Sequence, residues 1–472
     1  MSKTEKHKLV IIGAGPGGYR AAFMAADLGI EVTLIDPEIN PGGVCLYRGC
    51  IPTKALLHLA KIKADAEQAG SLGIHFDKVK VDTDEVAKWK NGVVKKLTGG
   101  LGQLVKARKI NYIRGMATFL DSETIEIEKN EGGKKQITFE NAIIATGATP
   151  VQLPGIDMND PQIMHSAQSL ELKDIPNKLL VIGGGYIGLE MATIYHSLAT
   201  EITIVELTED LMPGMDKDLV TEFKKANKNT FEEILLETRV KTIRKKGKTL
   251  EVDFEDKQHK KFSKTYDKVL ISVGQNPNTK NAGLENTSVE TDEKGFIKVN
   301  EKMQTTQKNI YAIGDVSGPP LLAHKASYEG KVAAEIIAGR KSANDAKVIP
   351  AVVYTEPEIA VCGLNEKDAK EKGIDYKVVK FPWPASGRAI AMNKKSGFTK
   401  LLVHPENERI LGAGIVGRNA GDMIAELALA IEMAATAKDV ALTIHPHPTL
   451  SETIMEAAEI FYGHPAHIST KK

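Results

Sequence analysis

The sequence predicts an α/β fold with two βαβ units of one design, followed by an α+β segment. Three observations carry that prediction. A glycine-rich strand-to-helix turn occurs twice, and both copies keep the same internal spacing. At 472 residues the chain is too long for one hydrophobic core. Its C-terminal stretch alternates strand-like runs, FTKLLVH and ILGAGIV, with an apolar helical run, IAELALAIEMAA.

The first copy reads KLVIIGAGPGG. Leu9 to Ile12 form a continuous apolar run, as a buried parallel strand would. Gly13, Gly15 and Gly18 follow as GxGxxG, then the helical pattern YRAAFMAADLG, then a second strand, EVTLID, ending in Asp36. A lone GxGxxG is weak evidence. With a strand before it, a helix after it and an acid about twenty residues on, it is a dinucleotide fingerprint of the Rossmann type. The glycines let backbone N–H groups and the helix N-terminus approach a pyrophosphate, and the acid takes a ribose hydroxyl pair.

The pattern returns in LLVIGGGYIGLEMATIYHSLATEITIVE as Gly183, Gly185, Gly188 and Glu206, each 170 positions after its counterpart. Two such units imply two dinucleotides. Glu206 repels a ribose 2′-phosphate, and the following LTEDLMPG offers no arginine for one, so the second unit is expected to take NAD. The first is then free for FAD. A third segment, TTQKNIYAIGDV, ends in Gly314 and Asp315 and resembles the second FAD fingerprint of two-dinucleotide flavoproteins, in which the Asp binds the ribityl chain.

Between the two copies lies GGVCLYRGCIPTK, with Cys45 and Cys50. Five extended residue steps would span about 17 Å, whereas a disulfide needs its Cα atoms within about 7 Å. The segment is therefore expected to loop, with Gly49 making the turn. Pro52 suits the first turn of a helix, PTKALLHLAKIKADAEQ. Cys50 then sits near a helix N-terminus, where the dipole favours a thiolate. A small loop gains modest entropy from a crosslink, so such a bridge suits redox cycling better than stapling. The one other cysteine, Cys362 in IAVCGL, reads as a core thiol. With three cysteines in all, neither a disulfide scaffold nor a zinc site is expected, and no metal is expected.

GGVCLYRGCIPTK resembles the redox-disulfide segment of the pyridine nucleotide–disulfide oxidoreductases. The order of motifs is similar along essentially the whole chain, and GGLG, TGATP, LAHKASYEG, YTEPEIA, FPWPASGRA and IHPHPTLSE resemble segments of the lipoyl-oxidising branch of that family. The resemblance implies a glutathione reductase-like fold. Its domains are 1–148 (first FAD part, with the redox disulfide), 149–275 (NAD), 276–348 (second FAD part) and 349–472 (dimerisation, with an acid–base histidine). It implies Cys45 and Cys50 as the redox pair, Cys50 facing the flavin, His447 as base and Glu452 as its orienting carboxylate. FAD would be tightly bound, one per subunit, by Gly13, Gly15, Gly18, Asp36, Lys54, Gly314, Asp315 and Ala323. NAD would lie on Gly183, Gly185, Gly188, Glu190, Glu206 and Gly274, with Lys54 and Glu190 as an ion pair beside the flavin. It implies a homodimer whose active site is shared between subunits, working with the lipoyl domains and core of 2-oxoacid dehydrogenase complexes. Tyr47 stands where the family commonly has Asn, and Gln275 where it commonly has Arg. Tyr186 resembles a nicotinamide-pocket tyrosine.

Two of these residues have plainer roles open to them. Thr449 to Glu452 is also a capping box for the helix SETIMEAAEIF, which is the plainer role of Glu452. His447, like its neighbour His445, is open to a structural role; of the two, His445 fits the base role less well by position. Other readings fit worse. Glu206 argues against an NADPH-dependent glutathione reductase-like enzyme. The tail EIFYGHPAHISTKK lacks the cysteine pair of a mercuric reductase. An NADH oxidase, diaphorase-type flavoprotein or redox sensor needs no cysteine pair with a C-terminal base. A net charge of +1 gives no footprint for nucleic acid or an anionic membrane. No apolar run reaches transmembrane length, and MSKTEKHKLV lacks a signal peptide's apolar core. A cytoplasmic location is expected.

Overall fold

Runs of Leu, Val and Ile buried on both faces set two parallel sheets. The computed structural model describes residues 5–77 and 79–469. In the first sheet, Glu5–Ile12 lies between Val32–Asp36 and Lys134–Ile144. Asn111–Phe119 and Ile310–Ala312 flank these, and every neighbouring pair is parallel. Beyond Arg114, the Asn111–Phe119 strand leaves that sheet and pairs antiparallel with Thr124–Lys129, which pairs back onto the start of Lys134–Ile144.

The second unit repeats this plan. Its parallel order is Glu233–Leu235, Glu201–Val205, Lys178–Ile182, Lys268–Ile271 and Ile163–His165. An antiparallel meander of Thr238–Lys246, Thr249–Asp256 and Lys261–Tyr266 stands where the first unit has its own. The chain passes between the units along a short ribbon, with Gln275 opposite Pro150 and Pro277 opposite Ala148.

The C-terminal segment is an antiparallel five-stranded sheet, ordered Ala351–Val353, Glu358–Gly363, Ile410–Gly417, Phe398–Val403 and Lys377–Pro382. The helices Ala420–Glu432 and Glu452–Tyr462 pack on it, around a core containing Trp383, Phe381, Leu401, Leu427 and Ile454. Lys400, fully buried on this sheet, ties it to the second unit. Its ammonium donates to Asp216 (2.7 Å), Asp218 (3.1 Å) and Glu366 (2.6 Å). Those three carboxylates are spaced as metal ligands could be, and the Lys400 ammonium is what they surround. No helix among the described residues is long and apolar enough to cross a membrane.

Candidate redox and dinucleotide sites

The two glycine turns agree down to single hydrogen bonds. Gly13 N–H donates to Ile35 O (2.8 Å) and Gly183 N–H to Val205 O (2.9 Å). Ala14 N–H donates to Asp36 Oδ2 and Gly184 N–H to Glu206 Oε2, both at 2.7 Å. The second carboxylate oxygen of each acid accepts from the residue two further on, Glu38 (2.9 Å) or Thr208 (2.8 Å). Sequence reading gave the acids only a ribose. The structure shows that they also brace the turn, and both are buried.

A Cβ added at each glycine separates its reasons. At Gly13 (φ +97°) it would lie 2.3 Å from Ala145 O, and at Gly183 (φ +105°) 2.5 Å from Ser272 O. At Gly18 and Gly188 it would lie 1.8 and 2.2 Å from the carbonyl oxygen of the first glycine. The protein's own backbone demands these four. Gly185 is different, because its φ is −74° and a Cβ there would meet nothing within 4 Å. Gly15, at φ −68°, would meet only Gly43 Cα at 4.0 Å. Both middle glycines sit at the N-cap of a helix, the Pro16–Asp27 helix and the Tyr186–Ser197 helix. No internal packing asks for glycine there, whereas close approach of a pyrophosphate to the helix N-terminus does.

Gly314 (φ +77°) and Asp315 open a short 3-10 turn after the Ile310–Ala312 strand. The Asp315 carboxylate accepts no hydrogen bond from any described residue. Burial lifts its pKa above the ordinary carboxylate range, and Glu329 adds to the rise while Lys325 opposes it. A half-buried carboxylate without a partner fits a bound polyol hydroxyl. Ala323 begins the Ala323–Ile337 helix beside this turn. Gly274 (φ +121°) accepts from Val151 N–H at the ribbon (3.0 Å), next to Gln275. The residues present therefore fit FAD in the first unit and NAD in the second.

The cysteine segment is more regular than the loop expected. Cys45 lies within a helical turn, Gly43–Arg48, and the chain kinks at Gly49 (φ −140°, ψ −111°). Cys50 is the first residue of the Cys50–Gln68 helix. Tyr47 OH donates to Asn40 O (3.0 Å), which gives the departure from Asn a local anchor. Both cysteines are free thiols here, and the Cys45 thiol donates to Cys50. That hydrogen bond lowers the Cys50 pKa to about 7; burial opposes it and the Lys54 charge adds to it. The same bond, with burial, pushes Cys45 up. One thiolate, on Cys50, is the state the site favours near neutral pH. Cys362 is buried with its pKa pushed up to about 12, which leaves it inert.

Lys54, one helical turn after Cys50, donates to both oxygens of Glu190 (3.0 and 2.9 Å) across 136 residues of sequence. Glu190 is buried and also accepts from Tyr354 N–H (3.0 Å), and the Lys54 ammonium lies 4.6 Å from the centre of the Tyr354 ring. The YTEPEIA motif thus reaches the Lys54–Glu190 ion pair through Tyr354, a link sequence reading missed. The Tyr186 ring is exposed, with Asp315, Glu190 and Cys50 among the charges it feels.

His447 and His445 have distinct surroundings. The His445 side chain is 4% exposed, with Nε2 on Glu426 Oε1 and Nδ1 on Thr443 O, both at 2.8 Å, so both nitrogens are used. The His447 side chain is 74% exposed, with Nδ1 on Glu452 Oε1 (2.8 Å). A carboxylate at Nδ1 selects the tautomer that leaves the Nε2 lone pair available. Glu452 Oε2 accepts from Thr449 N–H (2.7 Å). One oxygen thus holds the Thr449 amide and the other the histidine. The helix begins at Glu452 after Ser451, with no side-chain cap, so the reciprocal capping box expected from Thr449 to Glu452 is not formed. Burial opposes ionisation of Glu452, but the Thr449 amide and His447 outweigh it and hold the carboxyl below its ordinary range.

Residues 7–330 match the family described as pyridine nucleotide-disulphide oxidoreductase, and 349–458 match that family's dimerisation domain. The chain is 48% identical to a dihydrolipoyl dehydrogenase of Vibrio cholerae over 98% of its own length and 97% of that protein's. It is 45% identical to one of Geobacillus stearothermophilus over 98% and 97%. Among solved structures it is similar to an HOCl-induced flavoprotein disulfide reductase from Escherichia coli (TM-score 0.85, 28% identity, 96% of this chain and 100% of that one). The fold also matches LpdA of Mycobacterium tuberculosis (TM-score 0.89, 24% identity, 96% and 99%).

Proposed function

The chain belongs to the pyridine nucleotide-disulphide oxidoreductase family, and from that premise we propose that it is an NAD-dependent oxidoreductase that reoxidises dihydrolipoyl groups through Cys45, Cys50 and FAD. The observation that carries the reading is a carboxylate-held His447 together with a low-pKa Cys50, in a chain that aligns end to end with dihydrolipoyl dehydrogenases. The net reaction converts a dithiol and NAD⁺ into a disulfide, NADH and a proton.

His447 Nε2 takes the proton of one substrate thiol while Glu452 stabilises the imidazolium. The thiolate attacks Cys45 Sγ of the Cys45–Cys50 disulfide. A mixed disulfide forms, and Cys50 leaves as the thiolate its surroundings favour. The second substrate thiol attacks the mixed disulfide, closes the substrate's own ring disulfide and frees Cys45. Bound FAD would supply the two-electron relay from the reduced cysteines to NAD⁺. Lys54, locked by Glu190, keeps a positive charge beside Cys50 and favours its thiolate.

The exposure of His447 in the single chain supports a base that serves the cysteine pair of a partner subunit. So do the exposed Leu429, Met433, Leu442 and Ile444 of the dimerisation domain. The partners of this reading are a second copy and the lipoyl domains of 2-oxoacid dehydrogenase complexes, in the cytoplasm.

The test is a steady-state assay of the yellow protein with dihydrolipoamide, comparing NAD⁺ with NADP⁺. Rapid NADH formation, strong preference for NAD⁺ and a fall of about 10²-fold or more in Cys50→Ser and His447→Gln are expected. A wild-type protein that ignores dihydrolipoamide yet oxidises NADH with a dye would sink the lipoyl assignment and leave the nucleotide sites standing.

A further inference from the structure

The LAHKASYEG segment begins the Ala323–Ile337 helix and carries two charges that the FAD reading leaves without a role. Its charged residues Lys325 and Glu329 are four apart on the Ala323–Ile337 helix, 9% and 3% exposed, and paired at 3.0 Å. Two buried charges are costly unless each is fully engaged. These engage the Gly314–Asp315 turn. Glu329 Oε2 accepts from Gly314 N–H at 2.7 Å, and Ser317 Oγ lies 3.5 Å from the same oxygen. The Lys325 ammonium donates to Gly318 O (2.9 Å) and lies 3.3 Å from Gly314 O. Each end of the turn is therefore held by one member of the pair. Asp315, between them, keeps its carboxylate free.

The same helix is fixed to the first glycine turn. A Cβ on Gly330 would lie 2.5 Å from Gly17 O, one on Gly17 would lie 3.0 Å from Ala326 O, and Ser327 Oγ lies 3.3 Å from Pro16 O. Gly17 and Pro16 belong to the helix whose N-terminus faces the pyrophosphate position. One helix thus sets the distance between the two FAD-facing segments, which lie some 300 residues apart in sequence.

We propose that Lys325 and Glu329 are positioning residues, a buried ion pair that presets the Gly314–Asp315 turn so that Asp315 meets the flavin nucleotide's polyol without rearrangement. This rests on the FAD reading of the first unit. The pair touches the turn and not the reacting atoms. Its effect is on affinity and on the placing of the isoalloxazine ring, through preorganisation.

The experiment uses the full-length protein stripped of FAD and reconstituted with it, for wild type, Glu329→Gln, Lys325→Met, Lys325→Arg and the double change K325M/E329Q. FAD affinity is read from flavin fluorescence, thermal unfolding is followed with and without FAD, and the flavin absorption spectrum is recorded. Glu329→Gln and Lys325→Met are expected to weaken FAD roughly tenfold or more, to shrink the rise in Tm that FAD confers and to shift the flavin spectrum. Lys325→Arg is expected to recover part of each. The double variant leaves no lone buried charge, so it carries the test if a single variant fails to fold. A merely structural pair would lower Tm equally with and without FAD and leave affinity and spectrum unchanged, and that result overturns the proposal. If wild-type protein binds no FAD, the cofactor reading itself falls, an outcome distinct from the first.

Discussion

Cys50 shows how much one atom's surroundings decide. Its thiolate is favoured by the Cys45 hydrogen bond and the Lys54 charge, against burial, and its pKa is lowered to about 7. A group lowered in this way is charged above that value and protonated below it. In the reduced protein, ultraviolet thiolate absorbance should therefore grow in with a midpoint near pH 7, and Cys50→Ser should abolish that step. Lys54→Met should move the midpoint upward by removing a charge that favours the thiolate. A midpoint unmoved by Lys54→Met would show that the Lys54 charge does not contribute to the thiolate.

At the scale of the element, the second glycine turn makes a sharp contrast between two alanines. Gly185→Ala adds a Cβ into open space at an allowed φ, so the fold should be nearly indifferent to it. The methyl group would stand where a pyrophosphate must approach, and KM for NAD⁺ should rise about tenfold or more. Gly188→Ala places the same methyl 2.2 Å from Gly183 O and 2.6 Å from Ser272 Oγ. The helix cannot then sit on its strand, and Tm or soluble yield should fall whether or not NAD⁺ is present. Thermal unfolding beside NAD⁺ kinetics for the two variants checks both. Equal loss of stability in both would remove the argument that the middle glycine serves a ligand.

For the whole molecule, the question is where the base that serves each cysteine pair comes from. If the site is shared between subunits, Cys50→Ser and His447→Gln chains are each inactive alone and complement each other when mixed. Random reassortment of equal amounts makes half the dimers mixed, each with one intact site, so activity should recover to about a quarter of wild type. A site built within one chain would recover none. Refolding or subunit exchange of differently tagged variants, followed by the dihydrolipoamide assay, separates the two.

The sequence by itself determined the repeated turns, the helix that follows Cys50 and the order of the motifs. These depend on local rules that act within a few residues: glycine where a Cβ collides, apolar runs where both faces are buried, and helix starts where proline fits. It also named His447 and Glu452, which lie five apart and meet in one turn. Only the tertiary structure decided which residues join across long separations. Lys400 meets Asp216, and Tyr354 reaches Glu190, whose pairing with Lys54 the family resemblance already implied. It also gave Asp36 and Glu206 a second task, as braces for neighbouring backbone. A charged residue carries no local mark of its partner. Lys325 and Glu329 find their backbone partners only because the Ala323–Ile337 helix packs against the Gly314–Asp315 turn. Burial then requires every donor and acceptor to be matched, and that matching is a property of packed elements rather than of neighbouring residues.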